Sequence, residues 1–207
     1  MGLTATDSGT ARTPAPQGTH MGYCFGLIDL GTQTSTFEGK TKSAPKVWLW
    51  FELTEEKDPD GKPTTVGTFA SVSLNEKATL RKWLEAWRSK PFTAEELKGF
   101  KLTNVVGKPC MITIIHKQKP NGGISDVVSS ISAMPKGVKP STAMVHPQAI
   151  LDLDQFDKAL YESLPNFLKD MIFKSPEGLK VCAPGQPSGT NAAGATGEQF
   201  SDDNIPF

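Results

Sequence analysis

The chain has 207 residues, and its 22 Lys and Arg balance 22 Asp and Glu, so the formal net charge is zero with His neutral. This length accommodates one ordinary domain with flexible ends, or two small domains. No apolar run approaches the roughly 18–20 residues that a membrane-spanning helix needs, and the first residues lack the basic and apolar parts of a signal peptide. We therefore expect neither a membrane protein nor a secreted one, and zero net charge argues at first against a nucleic-acid partner.

Short β-like runs separated by turn residues dominate the middle of the chain. They lie at 22–30, 46–53, 65–74, 109–117 and 124–132. The sequence Asn-Gly-Gly at 121–123 predicts a hairpin turn between the fourth and fifth runs. Five strands with a helix between the third and fourth is the element order of the oligonucleotide-binding (OB) fold, so we predict a mainly β protein with a five-stranded OB-fold barrel. Other small β-barrels and sandwiches could be built from the same runs.

Two helices are predicted between the third and fourth strands. Apolar residues recur at helical spacing over 80–87, which indicates a helix with Asn75 as its N-cap and with Trp83 and Trp87 in the core. A second short helix is expected from Thr93, because the acid three residues later completes a capping box.

Three segments follow from composition. Residues 1–20 offer little to offset the entropy of ordering and are expected to form a flexible N-terminal arm. Residues 21–180 form the predicted domain, and its part 141–180 carries one or two amphipathic helices, with Pro165 at a helix start, that pack on the barrel as a structural extension. Residues 181–207, rich in Gly, Pro and Ala, are typical of a flexible linker and end in an acidic tip.

The charges are unevenly distributed among these segments. Residues 181–207 contain no Lys or Arg and three acids, which gives −3, whereas residues 21–180 hold 21 basic and 18 acidic residues, which gives +3. Within the domain, 101–139 has six Lys against Asp126 alone, or +5. The zero sum therefore does not exclude a nucleic-acid partner, although a basic run can also be a solvated face.

Cysteine and histidine positions argue against metal and catalytic chemistry. The three Cys form no C-x-x-C pair and the three His are dispersed, so we expect neither a disulfide framework nor a metal site. Cys24 and Cys110 lie in apolar runs and are expected to be small core residues in a reducing compartment. Because no nucleophile–base or phosphate-loop motif is present, we expect no enzyme activity and no cofactor.

The second strand is the most informative run. Its alternation places apolar residues on one face, which would fill the barrel, and Lys46, Trp48, Trp50 and Glu52 on the other. Exposed Trp usually marks a binding site, and a nucleic-acid base can stack on an indole whatever its identity. The alternative is that the 141–180 helices or a second protein chain cover both Trp.

Two basic segments are candidates for holding a nucleic-acid backbone. The polar segment 31–46 is interpreted as a long loop, and it offers Lys40, Lys42 and Lys46 to phosphates and Phe37 as a further stacking surface. The turn at 117–123 offers Lys117 and Lys119, with His116 beside them. These segments correspond to the two loops that flank the binding face of OB-folds, although 31–46 could also be a mobile loop without a role.

The last residues combine charge with an apolar end. Pro206 restricts the backbone, Phe207 can enter a pocket, and its carboxylate can pair with an Arg. Asp202 and Asp203 can steer the tip toward a basic rim.

The sequence Asp202-Asp203-Asn204-Ile205-Pro206-Phe207 resembles the tip of bacterial single-stranded DNA-binding proteins, with Asn204 where their pattern has Asp. The runs 105–113 and 131–137 look like those of single-stranded DNA-binding proteins of tailed bacteriophages. This resemblance implies a sequence-independent protein that coats and protects single-stranded DNA in phage DNA replication and recombination, in the cytoplasm of the infected bacterial host. It also implies that Asp202, Asp203, Ile205, Pro206 and Phe207 recruit replication and recombination proteins.

Two other functions fit the same pattern. An RNA-binding OB-fold module would stack bases in the same way, and a protein-interaction or virion structural component would use the Trp face as an interface. The sequence leaves the oligomeric state open.

Overall fold

The computed structural model describes residues 13–37, 39–119 and 122–182. Residues 1–12 of the predicted arm, and the predicted linker and tip over 183–207, lie outside this description.

Six strands form one open sheet. The strands are β1 (Gly18–Phe37), β2 (Lys40–Lys57), β3 (Pro63–Ser71), β4 (Pro109–Gln118), β5 (Ile124–Ser132) and β6 (Ala149–Leu151). Five of them are antiparallel neighbours in the order β3-β2-β1-β4-β5, and β6 pairs in parallel with β1. The end strands β3 and β5 approach to within 8 Å between Cα atoms, but no ladder joins them in the described residues. The fold is therefore mainly β, with a curled sheet that is not closed.

The helices are short and lie in two groups. The first group is α1 (Thr79–Arg88) and α2 (Ala94–Lys98), followed by a 3-10 turn (Leu102–Val105) before β4. The second group is α3 (Lys158–Ser163), α4 (Asn166–Lys174) and α5 (Pro176–Cys182). Among the described helices, none is both long enough and apolar enough to span a membrane.

One face of the sheet encloses the larger core, here called the inner cluster. Alternation directs Val47, Leu49, Phe51 and Leu53 of β2 into it, as predicted. Helix α1 covers this core with Trp83 and Trp87, each 8% exposed, and Trp87 Nε1 donates to Pro109 O at 2.8 Å. The predicted core roles of both Trp are confirmed.

The caps of the first helix group were predicted with mixed success. The capping box of Thr93 and Glu96 at α2 is present. The N-cap assigned to Asn75 is wrong, because α1 begins only at Thr79. Asn75 instead forms the turn before the helix, where its carbonyl accepts from Ala78 N–H and its side chain from Lys77 N–H.

The opposite face of β1 and β2 carries a second core, here called the outer cluster. It is built from Ile28 and Leu30 of β1 and from residues of β6, of helices α3 and α4 and of the turns between them, namely Leu151, Leu153, Tyr161, Leu164, Leu168 and Ile172. The predicted helical extension therefore packs on the sheet, with Pro165 as the N-cap of α4. Helix α5 reaches Cys182, so the predicted boundary at 181 falls inside a helix.

The segment interpreted as a long loop, 31–46, is instead a β-hairpin extension of β1 and β2. Its Thr and Ser residues suit strands, and their hydroxyls pair across the hairpin, with Thr34 Oγ1 2.8 Å from Ser43 Oγ. Gly39, with φ +75°, supplies the left-handed turn conformation at the tip.

The predicted flexible arm over 1–20 extends too far. Ala15 is fully buried, its N–H donates to Asp126 Oδ2 at 3.1 Å, and β1 begins at Gly18. Residues 13–20 are therefore part of the domain.

The two predicted core cysteines are confirmed. Cys24 and Cys110 are both fully buried in the inner cluster. Burial raises the pKa of the Cys24 thiol to about 12, so it stays protonated and unreactive at neutral pH.

Candidate nucleic-acid interface

Two indole rings lie on the outer face of β2, each seated against a glycine of a neighbouring strand. Trp48 leans over Gly67 of β3, where an added Cβ would lie 1.9 Å from Trp48 Cζ2. Trp50 lies against Gly26 of β1, where an added Cβ would lie 2.8 Å from Trp50 Cβ. Because neither glycine has a side chain, both rings can rest close to the sheet.

Two phenylalanines complete an aromatic row on this face. The Phe69 ring of β3 is 4.5 Å from the Trp48 ring between centroids, at 60°. The Phe167 ring of α4 is 5.4 Å from the Trp48 ring, at 74°. We call Trp48, Trp50, Phe69 and Phe167 the aromatic row.

Trp48 and Trp50 are less exposed than the alternation of β2 predicted. Both are half-buried and pack against the outer cluster, and Phe167 of α4 partly covers Trp48, which agrees for that residue with the alternative interpretation. Trp48 Nε1 is buried and has no hydrogen-bond partner among the described residues.

Residues 133–148, between β5 and β6, form an irregular segment that we call the strap. It borders the aromatic row beside Trp50. Glu52, the next outward residue of β2, is 1% exposed and accepts hydrogen bonds from the N–H groups of Val145 and His146, each at 2.8 Å. The His146 ring stacks on Phe25 at 4.8 Å, and Phe25 lies 5.0 Å from Trp50. The strap is therefore fixed at one end of the aromatic row.

Predicted phosphate contacts on the β1–β2 hairpin lie along the same strand as the row. Lys46 is half-buried on the outer face, two residues before Trp48, and Lys42 is exposed on the hairpin. The side chains of Lys40 and Phe37 lie outside the described part of the structure.

The second predicted backbone contact lies on the β4–β5 hairpin, which is separated from β2 by β1. Lys117 is exposed and Lys119 is half-buried, and Gly122 N–H donates to Lys119 O at 2.9 Å in the turn. His116 is exposed, but its Nε2 lies 2.8 Å from Ala15 O, so the ring also holds the N-terminal segment against β4.

Phe69 and Phe167 were not identified from the sequence as site residues. Phe69 could have been found, because the alternation that exposes Trp48 on β2 also places its cross-strand partner on the same face. Phe167 lies in the segment predicted to form amphipathic helices that pack on the barrel, where an apolar residue is expected to be buried, but it is 47% exposed. Its contact with Trp48 spans 119 residues of chain, and no local pattern encodes it.

The described residues are 13–37, 39–119 and 122–182. No group of three His, Cys, Asp or Glu there could hold a metal ion. The predicted partner-binding residues Asp202, Asp203, Ile205, Pro206 and Phe207 lie outside those ranges.

No known family model matches this chain. No curated protein is significantly similar to it in sequence. We therefore infer its function from its own residues.

Proposed function

We propose that this protein is a sequence-independent single-stranded DNA-binding protein with no catalytic activity. The observation that carries the proposal is the aromatic row, in which the two indoles on the outer face of β2 are seated on glycines of β1 and β3. Stacking on such rings contributes about 1–3 kcal/mol per base and tolerates any base, because every base has a π-face.

We interpret the open sheet as an OB-fold barrel. The order β3-β2-β1-β4-β5, a helix α1 between β3 and β4, and the approach of β3 to β5 all fit a partly open five-stranded Greek-key barrel. In OB-folds the face of strands 2 and 3 binds oligonucleotides, flanked by the connections 1–2 and 4–5. Trp48, Trp50 and Phe69 of the aromatic row lie on β2 and β3, and we interpret the two basic hairpins as those connections.

Phosphates are contacted by lysines on both hairpins in this proposal. Lys42 and Lys46 extend from the aromatic row along β2, and Lys117 and Lys119 lie on the other hairpin. Lys40 and Phe37 remain predicted contacts. Each phosphate neutralised on a single strand lowers the slope of log affinity against log salt by about 0.7, so binding weakens steeply as salt increases.

The proposed biological role follows from the resemblance of the tip and body. The protein coats and protects single-stranded DNA during phage DNA replication and recombination in the bacterial host cytoplasm. The acidic segment from 181 to 207 recruits partner proteins through Ile205, Pro206 and Phe207.

The test is a titration of intrinsic Trp fluorescence with oligo(dT) at low salt and at higher salt. We expect quenching that weakens as salt rises and that is strongly reduced in Trp48→Ala/Trp50→Ala, while the double variant remains folded by circular dichroism. Competition with an RNA oligomer of matching sequence distinguishes DNA from RNA as the preferred ligand. Absence of oligo(dT) binding at low salt would overturn the proposal and favour a protein interface on the aromatic row.

A further inference from the structure

Helix α4 contributes an exposed aromatic side chain beside the aromatic residues of the sheet. Leu168 and Ile172 direct one side of the helix into the outer cluster, where both are fully buried. Phe167 lies off that side and is 47% exposed, yet its ring touches Trp48. The amphipathic pattern of α4 accounts for the buried pair, but not for a large apolar ring at the surface.

Trp48 is bordered by aromatic rings from two different elements. Phe69 stands edge-on to it from the sheet and Phe167 stands edge-on from the helix, at 60° and 74°. Its Nε1 lacks a hydrogen-bond acceptor among the described residues.

Two lysines lie close in sequence to the residues of this contact, one on each element. Lys46 lies two residues from Trp48 on the same face of β2. Lys174 lies seven residues after Phe167, which places it on the same face of α4 two turns further on, and it is exposed. Asp170, three residues after Phe167 on the same helix, is exposed as well, so the charge on this face of α4 is mixed. Lysines near an aromatic contact fit a polyanion with apolar faces.

We propose that single-stranded DNA binds at the surface where β2 and α4 meet, and that Phe167 is a stacking residue of the site, together with Trp48. This inference rests on the proposed function and extends it, because it makes the C-terminal helices part of the binding site instead of a structural extension. One base stacks beside Trp48 against the Phe167 ring, and the adjoining phosphates lie near Lys46 and Lys174.

The test compares oligo(dT) affinity in four full-length variants. Phe167→Leu keeps the apolar bulk but removes the π-face, and Phe167→Ala removes both, whereas Phe167→Tyr retains the ring. Leu179→Ala is the matched control, because Leu179 is also 47% exposed and lies in the same helical extension. We expect about 5- to 100-fold weaker binding for the Leu and Ala variants, and affinity within about twofold of wild type for the Tyr variant and for Leu179→Ala.

The outcomes separate this inference from the proposed function. If the wild-type protein does not bind oligo(dT), the proposed function is wrong and the inference is wrong with it. If the wild-type protein binds and Trp48→Ala weakens binding, but Phe167→Leu binds as wild type does, only the inference is overturned. Unchanged affinity of Phe167→Ala together with a change of oligomeric state, measured by light scattering, would instead assign this face to contact between copies of the chain.

Discussion

His146 Nδ1 lies 2.7 Å from Glu52 Oε2, and Glu52 is the most deeply buried carboxylate in the described part of the chain. The same side chain accepts the backbone N–H groups of Val145 and His146. A carboxylate at 1% exposure is stable only when such bonds replace its water, so it anchors the strap to the outer face of β2. Because His146 also stacks on Phe25 beside Trp50, the strap fixes the position of that end of the aromatic row.

Replacing Glu52 should therefore destabilise the domain. In Glu52→Gln, an NH₂ group replaces one of the two oxygens that accept the backbone N–H groups of Val145 and His146, so a buried donor loses its acceptor. We therefore expect the free energy of unfolding to fall by about 1–3 kcal/mol. Urea denaturation measures the change. Glu55→Gln, three residues further along β2 at an exposed position, is the control and should stay within about 0.5 kcal/mol of wild type. Equal stability of the two variants would contradict the anchoring role of Glu52.

Gly67→Ala tests the position of Trp48. The new Cβ would overlap the indole at Cζ2, so the ring must leave its seat, and we expect about 1–3 kcal/mol of destabilisation together with weaker oligo(dT) binding. Gly99→Ala is the control, because nothing lies within 4 Å of its added Cβ and its φ of −179° suits alanine. Near-UV circular dichroism and urea denaturation report the displacement. A Gly67→Ala protein with the stability and spectrum of wild type would show that the indole does not occupy this position.

Local patterns predicted the inner side of the fold well, because each residue's face follows from its own strand or helix. The alternation of β2 placed Phe51 in the core, and the helical spacing placed Trp87 there. The hairpin at 31–46 was missed because polar residues, mostly Thr, Ser and Lys, occupy both faces of its strands. The sequence there lacks the alternation of apolar and polar residues that marks a half-buried strand.

The outer side of the fold depends on contacts that are distant in sequence. The three-residue β6 is too short for a periodic signal, and its pairing with β1 joins residues more than 120 positions apart. The strap is fixed by Glu52 across more than 90 residues, and sequence alternation alone gave that glutamate a solvent-facing position. The sequence therefore allowed both an exposed and a covered position for Trp48 and Trp50, and it could not distinguish between them.

Salt dependence tests the assignment of phosphate contacts. For Lys42→Gln/Lys46→Gln we expect weaker oligo(dT) binding and a slope of log affinity against log salt that is shallower by about 0.7 per lysine, because fewer counterions are released. Lys82→Gln is the control, since Lys82 is exposed on α1, the helix that covers the inner cluster. Fluorescence titrations at several salt concentrations measure both slopes. If the double variant keeps the wild-type slope, these two lysines do not contact phosphates.

The junction between α5 and β1 should respond to pH. Glu177 accepts hydrogen bonds from Thr32 N–H at 2.8 Å and from Thr32 Oγ1 at 2.7 Å, and chiefly the backbone bond lowers the pKa of Glu177 below its ordinary value of 4.5. A lowered pKa in the folded state stabilises the protein above the unfolded-state pKa, and this contribution disappears as the pH falls through the folded-state pKa. At pH 7 we expect Glu177→Gln to be less stable than wild type by about 1 kcal/mol, because solvent screens a partly exposed carboxylate.

That difference should shrink below pH 4.5 as wild-type Glu177 becomes protonated and the two proteins become alike at this site. Urea denaturation at pH 7, 5 and 3 measures it. Glu162→Gln on α3 is the control, because Glu162 is 65% exposed and its Nζ–Oε1 distance to Lys158 is 3.7 Å, so its stability should match wild type at pH 7. A destabilisation by Glu177→Gln that is equally large at pH 3 and pH 7 would show that the charge of Glu177 does not hold α5 on β1, and that the amide simply packs less well against Thr32.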